Sequence, residues 1–179
     1  MAVKITKAVF LDRDGVIIKE KNFNADPEQI EFLPGSLDAL MKIPDDFLKI
    51  IVSNQSGIGR GLFNTSQVDE FNSVLLSKIK KKGASIDEIY YCPHKPENGC
   101  NCRKPKTGLF GLAKNKYKID FLSSWMIGDK SSDIQAGKNI GATTILVLTG
   151  YGGKETGGKG VVADYTVNNL YDAVEIIRK

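Results

Sequence analysis

Short apolar runs alternate with helical patterns along all 179 residues of this chain, and that alternation restricts the fold more than any other feature of the sequence. Apolar runs fall at 8–11, 48–52, 86–91, 125–127 and 143–147, with a last short one at 165–167. The first, Ala8-Val9-Phe10-Leu11, is continuous, as expected of a strand covered on both faces in a parallel sheet. Helices are predicted over 36–42, 65–82, 107–117, 131–139 and 168–177. The clearest carries Val68, Phe71, Leu75 and Ile79 on one face, opens at Thr65-Ser66 and stops at Gly83. Alternation of this kind predicts an α/β fold built on a doubly wound parallel sheet.

The length fits one domain over residues 1–179, able to bury its core without staples. A hydrophobic content of 41% and a charged content of 26% are those of an ordinary soluble protein. No apolar run approaches membrane-spanning length, and Met1-Ala2-Val3-Lys4-Ile5 leads into the first strand without a leader pattern. A cytoplasmic monomer with no membrane partner is therefore expected. The net charge of +4 is too mild to argue for nucleic acid, and Lys78, Lys80, Lys81 and Lys82 read as a solvated helix end whose cations favour the negative pole of the dipole. A small anionic substrate suits the charge equally well.

In open α/β sheets ligands gather outside the carboxyl ends of the strands. The first strand ends in Asp12-Arg13-Asp14-Gly15, two carboxylates that would repel unless a cation sat between them. A hard divalent ion such as magnesium removes that conflict while binding phosphate oxygens. One Asp could then attack phosphorus while the other moves protons. An Asx-type turn is the plain alternative for this tetrapeptide alone. Two further strand ends repeat the pattern. The second ends in Ser53-Asn54-Gln55-Ser56-Gly57, whose hydroxyls and amides could hold phosphate or substrate oxygens. The fourth ends in Gly128-Asp129-Lys130-Ser131-Ser132-Asp133, where Asp129 could bind the metal from the opposite side or cap the following helix.

All three cysteines and the single histidine lie between positions 92 and 102. Cys92, His94, Cys100 and Cys102 match a tetrahedral zinc site with every position filled by protein, hence a structural one. Disulfides are the alternative, but three cysteines leave one over. Arg103-Lys104 follows directly, so zinc would stiffen the segment that presents two cations to the site. Lys104 would neutralise a transferring phosphoryl group, and Arg103 could grip a second anion. Residues 16–33 show no clear period and could cover the site. Two tempting motifs fail. Residues 153–159 fit G-x-x-x-x-G-K but Gly160 replaces the needed Ser or Thr, leaving a flexible loop; Gly57-Ile58-Gly59-Arg60-Gly61 lacks the dinucleotide spacing. Arg60 remains a candidate for binding substrate anions.

The order and spacing of Asp12-x-Asp14-Gly15, Ser53, Lys104 and Gly128-Asp129 with Asp133 resemble the four motifs of the haloacid dehalogenase-like superfamily, over nearly the whole chain. The resemblance implies an aspartyl-phosphate mechanism with Asp12 as nucleophile and Asp14 as general acid and base. Ser53 and Lys104 would stabilise the phosphoryl group. Magnesium would be held by Asp12, the main-chain carbonyl of Asp14, and Asp129, with Asp133 orienting Lys104 or metal-bound water. Within the superfamily, Phe10-Leu11-Asp12-Arg13-Asp14-Gly15, Cys92-Pro93-His94 and Cys100-x-Cys102-Arg103-Lys104-Pro105 resemble the zinc-bearing histidinol-phosphatase and heptose-bisphosphatase group, whose members lack a separate cap domain. Residues 54–61 are similar to the heptose-bisphosphatase pattern, which implies hydrolysis at carbon 7 of D-glycero-D-manno-heptose 1,7-bisphosphate. Asn54, Gln55, Ser56, Arg60, Arg103 and Lys130 would then contact substrate, the three cations suiting a second phosphate. Ser53 stands where Thr is common, and the zinc loop is short for the group. Histidinol phosphate is the alternative substrate, and a non-catalytic zinc module the remote alternative function.

Overall fold

The computed structural model describes residues 6–154 and 160–179. The expectations for Met1–Ile5 and for most of the 153–159 loop lie outside the described residues.

The chain runs β1 (Lys7–Leu11), α1 (Ser36–Lys42), β2 (Phe47–Asn54), α2 (Thr65–Lys81), β3 (Glu88–Cys92), α3 (Gly108–Tyr117), β4 (Trp125–Gly128), α4 (Ser131–Ile140), β5 (Thr143–Val147), β6 (Tyr165–Val167) and α5 (Leu170–Ile177), with short 3-10 turns at Pro27–Gln29 and Pro96–Asn98. The strands form one sheet in the order β3-β2-β1-β4-β5-β6. Every neighbouring pair is parallel. From β1 the chain builds outward through β2 and β3, then returns to the other side of β1 with β4. The order therefore reverses between β1 and β4, and the crevice for a ligand opens above their carboxyl ends. Asp12 and Asp129 follow those two strands directly.

Period-2 alternation splits the strand side chains between two cores. Val9, Leu11, Ile51, Ile127 and Ile145 face a layer that includes Leu40 of α1, Phe71 and Leu75 of α2, and Val174 of α5. Ala8, Phe10, Ile50, Val52 and Met126 face Phe110 and Ala113 of α3 and Ala136 of α4. Both faces are thus covered, which is why the strands read as apolar runs and not as alternating ones.

The differences from the predicted elements have local causes. α2 is capped one residue early, by Asn64: its Oδ1 accepts from the Gln67 N–H at 3.0 Å, and the Gln67 Oε1 accepts from the Asn64 N–H at 2.9 Å. β3 begins late, because Asp87 turns its carboxylate back to the Lys49 N–H at 2.7 Å. Residues 16–33 are less irregular at their base than expected. Val16, Ile17 and Ile18 are buried, and Lys19 N donates to Glu31 O at 2.8 Å and Leu33 N to Ile17 O at 3.0 Å. This short double strand anchors a tip at residues 20–24 that leans over the end of β1, as the covering role requires. No helix among the described residues is long and apolar enough to cross a membrane.

Phe10 is fully buried and meets Phe110 edge-on at 5.0 Å and Phe121 at 6.0 Å between ring centroids. Phe10→Ala is expected to lower the unfolding free energy by about 3–5 kcal/mol through lost burial and the cavity left behind. Denaturant melts followed by circular dichroism measure it.

Candidate active site

A cavity of about 500 Å³ opens at the carboxyl ends of β1, β2 and β4. Asp12, Asp14, Ser53, Asn54, Gln55, Ser56, Arg60, Arg103, Lys104, Lys130 and Asp133 all line it. Asp129 lies just beneath, fully buried.

The floor is a network of buried charges. The Lys104 Nζ stands 2.8 Å from Asp12 Oδ1 and 2.8 Å from Asp133 Oδ1, and it also donates to the Val52 carbonyl. Burial opposes its charge, but the two carboxylates prevail and hold the Lys104 pKa above the usual lysine range. For Asp12 burial is likewise outweighed, by Lys104 and Lys130, so its carboxyl is held below the usual range and stays ionised. Asp133 completes the arrangement: its other oxygen accepts the Lys130 N–H at 3.1 Å, at the first turn of α4. The cap of α4 is therefore supplied by Asp133, and Asp129 is left for other work. Gly128 has no alternative here, since a β-carbon would collide with the Asp133 side chain.

Asp129 differs from its neighbours in making no ion pair within 4 Å among the described residues. Its Oδ2 accepts the Tyr151 N–H at 2.8 Å, while Oδ1 is buried without a hydrogen-bond partner. Burial, reinforced by Asp12 and Asp133, pushes its carboxyl up to about 8. Gly15, at φ +84°, and Gly150 close over it so tightly that a β-carbon on either would strike the carboxylate. Oxygens of Asp12, Asp129 and Asp133 lie within 4.8 Å of one another. Three carboxylates face two ammonium groups, Lys104 and Lys130, which leaves a formal excess of one negative charge. An orphaned oxygen among hard ligands in an under-neutralised pocket fits a divalent cation such as magnesium.

Two of the residues expected to touch substrate are committed to the machinery itself. Asn54 clamps the main chain of Lys104, its Oδ1 accepting the Lys104 N–H at 3.0 Å and its Nδ2 donating to the Lys104 carbonyl at 3.1 Å. Gln55 Nε2 bridges Ser53 Oγ at 2.7 Å and Asp14 Oδ2 at 3.0 Å. The cations are held from the loops. Lys130 pairs with Glu20 at 3.0 Å and lies 4.7 Å from the Tyr151 ring centre. Arg60 sits 5.4 Å from the Phe23 ring centre, and Arg103 donates to the His94 carbonyl at 3.3 Å.

Cys92, His94, Cys100 and Cys102 converge as their spacing predicts, with sulfur–sulfur separations of 3.1–3.6 Å and His94 Nδ1 3.2 Å from Cys102 Sγ. All three cysteines are free, so the disulfide alternative falls. Soft and borderline ligands at these spacings fit a tetrahedral zinc ion. The loop braces the site: Gln55 N donates to Cys92 O and Gly59 N to Pro93 O, each at 2.8 Å.

Glu20, Asn22, Phe23, Tyr151 and Arg13 also line the cavity and were not singled out from the sequence. Arg13 fills the variable position of the D-x-D motif, and the others sit on segments without periodicity.

A family model described as HAD-hyrolase-like matches residues 101–173. The chain is 36% identical over 180 residues to the D-glycero-beta-D-manno-heptose-1,7-bisphosphate 7-phosphatase of Pasteurella multocida, covering 96% of this chain and 97% of that one. It is 48% identical over 126 residues to a probable D-glycero-D-manno-heptose-1,7-bisphosphate 7-phosphatase of Thermoplasma volcanium, covering 70% of this chain and 86% of that one. A crystal structure of D,D-heptose 1,7-bisphosphate phosphatase from B. bronchiseptica, complexed with magnesium and phosphate, superimposes with a TM-score of 0.88 at 32% identity, covering 97% of this chain and 98% of that one.

The Asp129 carboxyl titrates near ~4 in an unfolded chain and at about 8 in the fold. Its raised folded value adds stability that is full below the unfolded value and is lost as pH climbs through the folded one. With chelator present, Asp129→Asn is expected to flatten the decline of unfolding free energy across that window relative to wild type. Parallel slopes in denaturant melts at stepped pH would contradict the assignment.

Proposed function

We propose, from the premise that the chain belongs to the haloacid dehalogenase-like superfamily and within it to the D-glycero-D-manno-heptose-1,7-bisphosphate 7-phosphatases, that it removes the phosphate at carbon 7 of that sugar bisphosphate. The observation that carries this reading is the charge layout of one cavity. Carboxylates, Ser53 and Lys104 meet where a phosphoryl group would be transferred, and Arg60, Arg103 and Lys130 line the same space for a second phosphate. Among the described residues the one extra acid of the cavity, Glu20, is already paired with Lys130, so they offer little to the amine of histidinol phosphate.

In the proposed reaction Asp12 attacks phosphorus, and the electron pair of the breaking P–O bond passes to the sugar oxygen. That oxygen takes a proton from the Asp14 carboxyl and leaves as the carbon-7 alcohol. Water then attacks the aspartyl phosphate and gives a proton to Asp14. The bond from phosphorus to Asp12 breaks, its electron pair returns to the carboxylate, and inorganic phosphate departs. Lys104 keeps Asp12 ionised for the attack and, with Ser53, holds phosphoryl oxygens. Asp133 holds Lys104 in place. Asp12, the Asp14 carbonyl and Asp129 would bind magnesium, which supplies charge stabilisation to the phosphoryl oxygens. Ser56, Arg60, Arg103 and Lys130 contact the sugar bisphosphate, while Asn54 and Gln55 act by holding Lys104, Ser53 and Asp14. The zinc ion on Cys92, His94, Cys100 and Cys102 is structural, and the enzyme works as a monomer on a small phosphorylated sugar.

A steady-state panel of both heptose bisphosphate anomers, histidinol phosphate and generic sugar phosphates tests the substrate. One heptose bisphosphate anomer should exceed every other compound in kcat/KM by at least about tenfold, and a preference for histidinol phosphate would overturn the reading. In the same assay Asp12→Asn should abolish turnover while circular dichroism shows the fold retained.

Elemental analysis of the purified protein should find about one zinc per chain, and Cys102→Ser should lower both that content and the thermal midpoint. Full-strength stability in a zinc-free preparation would remove the structural role.

A further inference from the structure

Arg13 stands between the two motif aspartates, yet its side chain is only 2% exposed, among the largest fully buried side chains of the fold. Burying a guanidinium costs several kcal/mol unless its donors are well spent. Here each one that can be followed has a use. Nε and Nη2 reach the two oxygens of Asp14 at 3.0 and 3.3 Å, a fork on a carboxylate. Nη1 donates to Asn72 Oδ1 at 2.9 Å, and the guanidinium lies 4.3 Å from the centre of the Phe71 ring.

The anchor belongs to α2. Phe71 packs in the core with Leu75 and Ile79, and Asn72 is a buried amide beside that apolar face. A polar side chain there weakens the helix packing unless it is paired, and its recorded partner is Arg13. If the pair served only to join α2 to the sheet, apolar residues of similar volume would do so at no loss, and often with a gain. The fork instead ends on a carboxylate that lines the cavity. Gln55 grips the same Asp14 from β2. The Asp14 carboxyl is thus held from two directions, by Arg13 on the helix side and by Gln55 on the strand side, over the ground between Ser53 and Asp12.

We infer that Arg13, seated on Asn72 and Phe71, is a positioning residue that fixes the Asp14 carboxyl for proton exchange with the leaving oxygen: the proton takes the place of the longer Nη2 bond on Oδ1, while Nε and Gln55 keep hold of Oδ2. This rests on the proposed role of Asp14 as the proton carrier. When the P–O bond breaks, its electron pair goes to the leaving oxygen, and an alkoxide needs the Asp14 proton at that moment. A p-nitrophenolate leaving group does not. Displacement of Asp14 therefore costs rate on an alkyl phosphate and little on an aryl phosphate in the first chemical step.

The test is single-turnover release of the alcohol, with magnesium-loaded enzyme in excess, from heptose bisphosphate and from p-nitrophenyl phosphate. The variants are Arg13→Lys, which keeps charge and loses the fork, Arg13→Met, which keeps bulk alone, and Asn72→Leu, which leaves Asp14 untouched. Circular dichroism and thermal melts report folding. Both Arg13 variants should lose about 10²-fold on the sugar phosphate and less than about fivefold on the aryl phosphate. Asn72→Leu should show the same asymmetry at smaller size, and steady-state KM should stay within about threefold. Equal losses on the two esters in folded variants, or undiminished sugar turnover, would overturn the inference. If wild type ignores heptose bisphosphate, the substrate reading fails separately, and the ratio is read on the alkyl phosphate of the panel that wild type cleaves fastest. Wild type that cleaves none of them removes both.

Discussion

The Lys104 ammonium, shared between Asp12 and Asp133 at 2.8 Å from each, is the interaction on which the carboxyl end of the sheet depends. Asp12, Asp129 and Asp133, all buried, bring oxygens within 4.8 Å of one another. At that range each pair of like charges repels by on the order of 3 kcal/mol at an effective dielectric of about 20. One buried cation touching two of the three removes most of the conflict. It does so asymmetrically, leaving Asp12 ionised and Asp129 raised to about 8. The same placement thus leaves one carboxylate charged and paired and another buried with an oxygen that has no hydrogen-bond partner.

Lys104 reaches that position from a loop, and loops are the least constrained parts of a fold. Three devices compensate. Asn54, at the end of β2, takes up both main-chain polar groups of Lys104. The Val52 carbonyl accepts from its ammonium. The Cys/His loop precedes it directly and is itself tied to the Gln55 and Gly59 amides. The knot of Cys and His side chains is thereby linked through the end of β2 to the place where the Lys104 ammonium stands.

Much of this was legible in the sequence, and for a common reason. Asp12, Asp14, Ser53, Asp129 and Asp133 follow apolar runs that end abruptly, so the strand ends announce where they lie. The Cys/His spacing is similarly local. Asn54 and Gln55 were expected to touch substrate; they line the cavity and also hold Lys104, Ser53 and Asp14, contacts that depend on which amide faces which backbone group. Arg13 was hidden because a single residue between two aspartates has no pattern to belong to. Its partner Asn72 lies fifty-nine positions away, on a helix whose apolar period conceals the one polar side chain that matters. Glu20 and Tyr151 come from aperiodic segments and acquire meaning only when those segments meet.

Those meetings divide the labour of the cavity. The residues of the floor are carried by β1, β2 and β4 or clamped to them, with distances set by the sheet and its two cores. The walls are tied chiefly to one another: Tyr151 Oη donates to Asn22 Oδ1 at 3.0 Å, Lys130 meets Glu20 at 3.0 Å, and Arg60 lies over Phe23. A change in the 16–33 excursion would therefore move the Arg60 and Lys130 side chains while leaving Lys104, Asp12 and Asp129 where they are. Arg13 lies on the boundary between these tiers. It is rooted in the α2 core and grips a carboxylate that lines the cavity, so the Asp14 side chain is held by the part of the fold least able to shift. The loops that form the walls can then vary without loosening it.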